Sequence, residues 1–131
     1  KFVDAKRNNE NKVLIWGTGK PFREFLFTYD LCRCLEKIIM LNKKAFGKIT
    51  NNNFLINVGS EENISINQLA KKIKKITGYQ GKIIYQNNFP DGVYNKKLDC
   101  NKLKKIVKKI NTTKLNKGLT AVIEEYEKSI L

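Results

Sequence analysis

Apolar positions recur along the chain at two spacings, and the switches between them predict alternating strands and helices. Val13 to Trp16 is a short apolar run ended by Gly17, and Phe25 to Phe27 is another that follows Pro21; both read as strands. Leu31, Cys34, Leu35, Ile38 and Leu41 then keep the 3.6-residue period of one helix face, with Asp30 placed to cap it. Asn42 to Asn53, rich in lysine and asparagine, reads as a polar connection. Phe54 to Val58 reads as a strand that stops at Gly59.

The next helix is the most fully specified. Ser65 and Gln68 have the spacing of a capping box, Ile64 and Leu69 that of a hydrophobic staple. Ile66, Leu69, Ala70, Ile73 and Ile76 form its apolar stripe, and Gly78 lies where a left-handed C-terminal residue is needed. Lys82 to Tyr85 predicts a short strand and Pro90-Asp91-Gly92 a turn. Two amphipathic helices follow, one on Leu103, Ile106, Val107 and Ile110, the other on Leu119, Val122, Ile123 and Tyr126. The pattern is that of an α/β fold with short strands and amphipathic helices, without internal repeats.

Composition narrows the function. A chain of 131 residues with 41% hydrophobic content can bury one core, so residues 1–131 are expected to form a single region, either a domain or a piece of a larger one. No apolar run approaches the length of a membrane span and no signal-peptide pattern opens the sequence, which points to a cytoplasmic protein that does not bind membranes. Cys32, Cys34 and Cys100 are too few and too irregular for a disulfide framework or a metal site, and are expected to be buried thiols.

The net charge of +14 suggests nucleic acid, but the lysine pattern argues against it. Lys71-Lys72, Lys74-Lys75, Lys104-Lys105 and Lys108-Lys109 sit between apolar helix positions, as solvated faces do. Arginine, the residue suited to bidentate base and phosphate contacts, occurs only as Arg7, Arg23 and Arg33. The chain has no histidine, which excludes histidine triads, histidine metal clusters and a histidine acid-base. Glu61-Glu62 and Glu124-Glu125 read as surface charge. Gly17-Thr18-Gly19 leads into Pro21 and a second strand, so it is neither a P-loop nor a dinucleotide fingerprint. A glycine turn followed by a single arginine is nonetheless a way for backbone to approach a phosphorylated ligand and neutralise it.

The stretch Trp16-Gly17-Thr18-Gly19-Lys20-Pro21-Phe22-Arg23-Glu24-Phe25-Leu26 resembles the tryptophan-glycine-x-glycine to arginine-glutamate-phenylalanine segment of the GDP-L-fucose synthases, in the extended short-chain dehydrogenase/reductase family. Three further segments are similar in the same order: Ile56-Asn57-Val58-Gly59-Ser60 with Ile64-Ser65-Ile66; Gly78 to Tyr85; and Pro90-Asp91-Gly92 with Lys96 and Leu98-Asp99. The resemblance implies the C-terminal substrate-binding portion of a Rossmann-type enzyme. It also implies the family's reaction, in which GDP-4-keto-6-deoxymannose is epimerised at two carbons and reduced with NADPH to GDP-L-fucose. It places the cofactor and the serine, tyrosine and lysine catalytic set on an N-terminal half, and implies a homodimer for the full-length protein. The chain alone is then expected to carry no catalytic residue, to bind no NADPH and to be inactive.

Residue by residue, the resemblance puts Arg23 at the nucleotide diphosphate, Trp16, Asp91 and Lys96 at the substrate, and Lys1 near the diphosphate. Four of the five have a plainer alternative. Arg23 can pair with Glu24 or another carboxylate, Trp16 can be a core aromatic, Lys96 surface charge and Asp91 a turn residue. Phe27, Thr28, Tyr29 and Asp30 stand where the family shows histidine, valine and two aspartates, and Val93, Tyr94 and Asn95 where threonine, proline and arginine are commoner. A related nucleotide-sugar epimerase or reductase and a non-catalytic basic binding module remain open as alternatives.

Overall fold

The β-branched and aromatic residues of the first and last predicted strands bring them together as a parallel pair. In the computed structural model, which describes residues 1–107 and 112–130, β1 (Lys12–Trp16) runs parallel to β4 (Lys82–Gln86), with Val13 opposite Ile83 and Trp16 opposite Gln86. The chain divides into two compact units that interleave in sequence. The first comprises Lys1–Arg23, Asn63–Lys96 and Asn116–Leu131; the second comprises Glu24–Glu62 and Lys97–Leu115.

In the first unit, α1 (Phe2–Arg7) and α4 (Ile66–Thr77) contribute to a core of Phe2, Ala5, Val13, Ala70 and Tyr79, flanked by Ile15, Ile73 and Ile83. The capping box forms as its spacing requires: Gln68 N donates to Ser65 Oγ at 3.2 Å, and Ser65 N to Gln68 Oε1 at 3.1 Å. Gly78 ends α4 with φ of +67°. Tyr79 buries its ring and donates from its hydroxyl to Glu10 O at 2.9 Å. β2 (Phe22–Glu24), whose first two residues belong to this unit, is bonded to β3 (Asn63–Ser65). The closing helix α6 (Leu115–Ser129) includes the predicted Leu119, Val122, Ile123 and Tyr126.

The second unit holds α2 (Thr28–Ile39), α3 (Lys43–Thr50) and α5 (Asn101–Lys104). Its core is Cys34, Cys100 and Leu103, with Ile38, Ile56, Val58 and Val107 packed against it. Of the three thiols, Cys34 and Cys100 are buried as expected, whereas Cys32 is exposed on the other side of α2.

Four expectations are corrected. The strand predicted over Phe25 to Phe27 lies earlier, at β2, because Phe22 N finds Tyr94 O at 2.8 Å while Phe27 becomes the extended N-cap of α2. Asp30 therefore sits inside the first turn and not at its cap. Its buried carboxylate accepts from Thr113 N at 2.6 Å and from Arg33. The connection from Asn42 to Asn53 contains α3, capped by Asn42 Oδ1 accepting from Ala45 N at 2.8 Å and ended by left-handed Asn51. Phe54 to Val58 forms no strand: Phe54 has φ of +53° and no described strand pairs with the segment. The helix predicted on Leu103 to Ile110 is helical at α5, and Lys108, Lys109 and Ile110 lie outside the described residues. No helix among the described residues is long and apolar enough to cross a membrane.

Replacing Ser65 with alanine removes the oxygen that caps α4 and is expected to cost about 1 kcal/mol, read as a lower urea midpoint with an unchanged slope.

Candidate functional site

The glycine turn between β1 and β2 is held from three directions. Thr18 N and Thr18 Oγ1 both donate to the Asp91 carboxylate, each at 2.6 Å, across 73 residues of sequence. Gly19 O and Pro21 O accept from Asn67 N at 2.8 Å and Ile66 N at 3.0 Å, so the turn satisfies amides at the start of α4 that no helical carbonyl can reach. The Tyr85 ring covers Gly19, and its hydroxyl donates to Asn67 Oδ1 at 2.8 Å.

Both glycines are required by this packing. Gly17 and Gly19 have φ of +77° and +74°, and a Cβ would lie 2.3 Å from Asp91 Oδ1 at Gly17 and 2.4 Å from the Tyr85 ring at Gly19. The turn is thus filled by protein, and the amide that a phosphate would have taken already serves Asp91. It does not fit the pyrophosphate of a dinucleotide cofactor. The two bonds from Thr18 hold the Asp91 carboxyl below its ordinary range, assisted by the charges of Lys20 and Arg23.

Arg23 leaves β2 and reaches back to the same segment. Its Nη1 donates to Phe22 O at 2.6 Å and to Val93 O at 2.8 Å, and Nη2 lies 3.5 Å from Asp91 O. None of the ion pairs among the described residues involves Arg23. Glu24, a plainer partner for it, instead accepts from Glu61 N at 2.7 Å and Leu98 N at 3.0 Å. Arg23 therefore keeps its charge, and further N–H groups, without a carboxylate partner among the described residues.

Trp16 is not a core aromatic. It is 66% exposed at the end of β1, stacked on Phe89 with ring centroids 4.9 Å apart and planes 10° from parallel. Lys1 Nζ stands 5.8 Å from the indole centroid and donates to Leu14 O at 3.1 Å. Lys96 is exposed and joins the group only through its backbone, with N 3.4 Å from Phe22 O. The structure thus joins Arg23 to Asp91 through the Asp91 carbonyl, stacks Trp16 on Phe89 two residues before Asp91, sets Lys1 beside Trp16, and leaves the Lys96 ammonium apart from these contacts. Sequence reasoning passed over Thr18, Tyr85 and Phe89. Phe89 had a signal, an aromatic residue directly before the proline-aspartate-glycine turn. Among the described residues no cluster of histidine, cysteine, aspartate or glutamate is placed to hold a metal.

No protein-family model matches the chain. It is 32% identical over 131 residues to a probable GDP-L-fucose synthase 1 of Oryza sativa subsp. japonica, a match that covers 100% of this chain and 37% of that protein. Among solved structures, a GDP-L-fucose synthetase from Naegleria fowleri superimposes with a TM-score of 0.78 at 25% identity, over 97% of this chain and 38% of that one. A UDP-glucose 4-epimerase with UDP-glucose from Thermotoga maritima gives a TM-score of 0.76 at 25% identity, over 99% of this chain and 39% of that one. The chain is similar over its whole length to GDP-L-fucose synthases and shares the fold of these enzymes, which are extended short-chain dehydrogenase/reductases. Within that family its similarity is to the GDP-L-fucose synthases across its whole length, and it spans 37% of the rice relative.

Because the folded-state pKa of Asp91 is lowered, its contribution to stability is present above the ordinary carboxylate pKa of about 3.9 and is lost as pH falls through the lower folded value. Asp91→Asn is therefore expected to lower the urea midpoint at pH 7, with the gap to wild type closing below about pH 4. Gly17→Ala should destabilise by at least about 1–2 kcal/mol from the left-handed backbone alone. Urea titrations from pH 7 to pH 3 check both.

Proposed function

We propose that the chain is the GDP-sugar-binding, C-terminal part of a GDP-L-fucose synthase-like enzyme, which epimerises GDP-4-keto-6-deoxymannose and reduces it with NADPH. The carrying observation is Arg23, a cation fixed in direction by the carbonyls of Phe22 and Val93 yet paired with no carboxylate among the described residues. A guanidinium so held presents its remaining N–H groups to a diphosphate without having to be ordered by the ligand. Trp16 offers an exposed aromatic ring, Lys96 and Lys1 add positive charge, and Asp91 serves by locking the turn that separates Trp16 from Arg23.

Reduction and epimerisation need groups beyond this chain. NADPH supplies the hydride when bound, and this chain's glycine turn is filled by Asp91 and Tyr85, so the cofactor belongs on another part of the enzyme. Oxidoreductase and isomerase activities are accordingly assigned to the longer polypeptide, a cytoplasmic homodimer, while the chain by itself binds substrate and is inactive. The backbone similarity to a UDP-glucose 4-epimerase supports a second reading, a uridine-linked sugar in the same site.

Calorimetric titration of the chain with GDP and UDP separates the two readings, with GDP expected to bind more tightly. Arg23→Ala should weaken GDP by about tenfold or more, the worth of a charge-assisted hydrogen bond, and Arg23→Lys should restore only part of it. Equal affinity for GDP and UDP would count against guanine selectivity, and turnover of a GDP-keto-sugar by the chain alone would remove the assignment of chemistry to another part.

A further inference from the structure

The first unit contains the same piece of architecture twice, and both copies bring positive charge to one end. Helix α1 is followed by a four-residue loop, residues 8–11, and β1; α4 is followed by a four-residue loop, residues 78–81, and β4. Loops this short fold each helix back along its strand. Because β1 and β4 are parallel, both helix C-termini and both strand starts meet at one end, away from the glycine turn after Trp16. The two loops are bonded together there. The Tyr79 hydroxyl donates to Glu10 O at 2.9 Å, Lys82 N to Asn11 O at 2.8 Å and Lys6 Nζ to Thr77 O at 2.8 Å. The last turn of α1 carries Lys6 and Arg7, and that of α4 carries Lys74 and Lys75. Lys12 and Lys82 begin the two strands and are exposed partners in the register. Glu10 is the only carboxylate in residues 5–14 and 68–86, and none of the ion pairs among the described residues involves these six cations.

The helix-end cations have a structural reason, since they face the negative end of each helix dipole. Lys12 and Lys82 have none. Register partners in a parallel pair put their side chains on one face, where like charges repel. A repulsion kept without a structural return points to an anion from outside the fold. We infer that this end of the first unit binds the sugar–phosphate backbone of a nucleic acid without reading its bases. The partner follows from what accompanies the charge. No large apolar side chain is exposed in residues 5–13 or 74–83, so this end lacks the apolar core of a protein interface; Leu14 and Ile84, the first exposed ones, lie further along the strands. Nor is an aromatic ring exposed there for a base to stack on. Lysine ammoniums and the exposed amides of Asn9 and Asn11 are donors of the kind that phosphate oxygens accept. Scarcity of arginine excludes bidentate base contacts but not backbone contacts, and the helical spacing that accounts for Lys71 and Lys72 does not extend to Lys12 and Lys82.

The test follows the anisotropy of a short fluorescein-labelled DNA duplex titrated with the intact chain from about 50 to about 200 mM salt. Log affinity is expected to fall linearly with log salt, by about 0.9 for each phosphate neutralised, and duplexes of unrelated sequence should bind equally. Lys12→Gln with Lys82→Gln should weaken binding about tenfold or more at the lowest salt and make the slope shallower by about 1.8. Lys43→Gln with Lys44→Gln, which removes the same charge from exposed positions in the second unit, should leave both unchanged. Equal losses in the two double variants, a preference among duplexes, or no binding at about 50 mM salt overturns the inference. Displacement of the DNA by GDP would place it at Arg23 and overturn it as well. Poly-glutamate that competes as strongly as unlabelled duplex does so in favour of an acidic polypeptide. Should Lys12→Gln with Lys82→Gln fail to fold, Arg7→Gln with Lys75→Gln carries the same expectation.

Discussion

The Asp91 carboxylate clasping Thr18 is the constraint on which the site depends. One side chain satisfies both donors of a residue 73 positions away, and in doing so closes the glycine turn against the loop after β4. Everything placed near the candidate ligand follows from it. Trp16 ends the strand that enters the turn, Arg23 lies on the strand that leaves it, and Phe89 and Val93 flank Asp91 on the loop that the turn receives. The two glycines are dictated by the same contact, since a Cβ on Gly17 would displace the carboxylate and one on Gly19 the Tyr85 ring. A motif that reads as phosphate-cradling is thus a device for packing two loops, and it sets the spacing of the side chains on either side of it.

The same solution recurs in the second unit. Glu24 accepts from the amides of Glu61 and Leu98, and Asp30, nearly inaccessible, accepts from the amide and hydroxyl of Thr113 and from Arg33. Burial raises the cost of ionising Asp30, and the donors from Thr113 and Arg33 outweigh it, leaving the carboxyl below its ordinary range. In a chain with 26 basic and 12 acidic residues, these acids orient loops through backbone amides, where direction matters more than charge. The lysines mostly face solvent, as the helical spacing of Lys71 and Lys75 indicates.

Local rules carried furthest where an element is specified within its own span. The Ser65 and Gln68 box and the left-handed Gly78 can be read without knowing what α4 packs against, and β1 and β4 announce themselves by short β-branched runs. Elements that depend on a distant partner were less legible. Phe54 to Val58 has the composition of a strand, but a strand exists only when a neighbour completes its ladder, and no described strand does so. Asp30 was misplaced for the opposite reason: its position suits a cap, and Thr113, far along the chain, claims its oxygens instead. α3 was obscured by its lysines, although Asn42 had the spacing of its cap.

The site divides along the same line. Trp16, Arg23 and Asp91 could be named from a motif, but what each side chain does depends on contacts made across the fold, so Asp91 proves to be engaged by Thr18 and the stacking partner Phe89 went unnamed. That distinction bears on how base preference arises in such a backbone. A GDP-L-fucose synthetase and a UDP-glucose 4-epimerase superimpose on this chain about equally well, so the course of the main chain cannot by itself select the base. Selectivity has to come from side chains that differ while the fold stays fixed. The solvent-facing aromatic pair at the end of β1 is anchored by the same loop that anchors Arg23, so one segment sets the spacing between an exposed ring and a fixed cation while the fold stays unchanged.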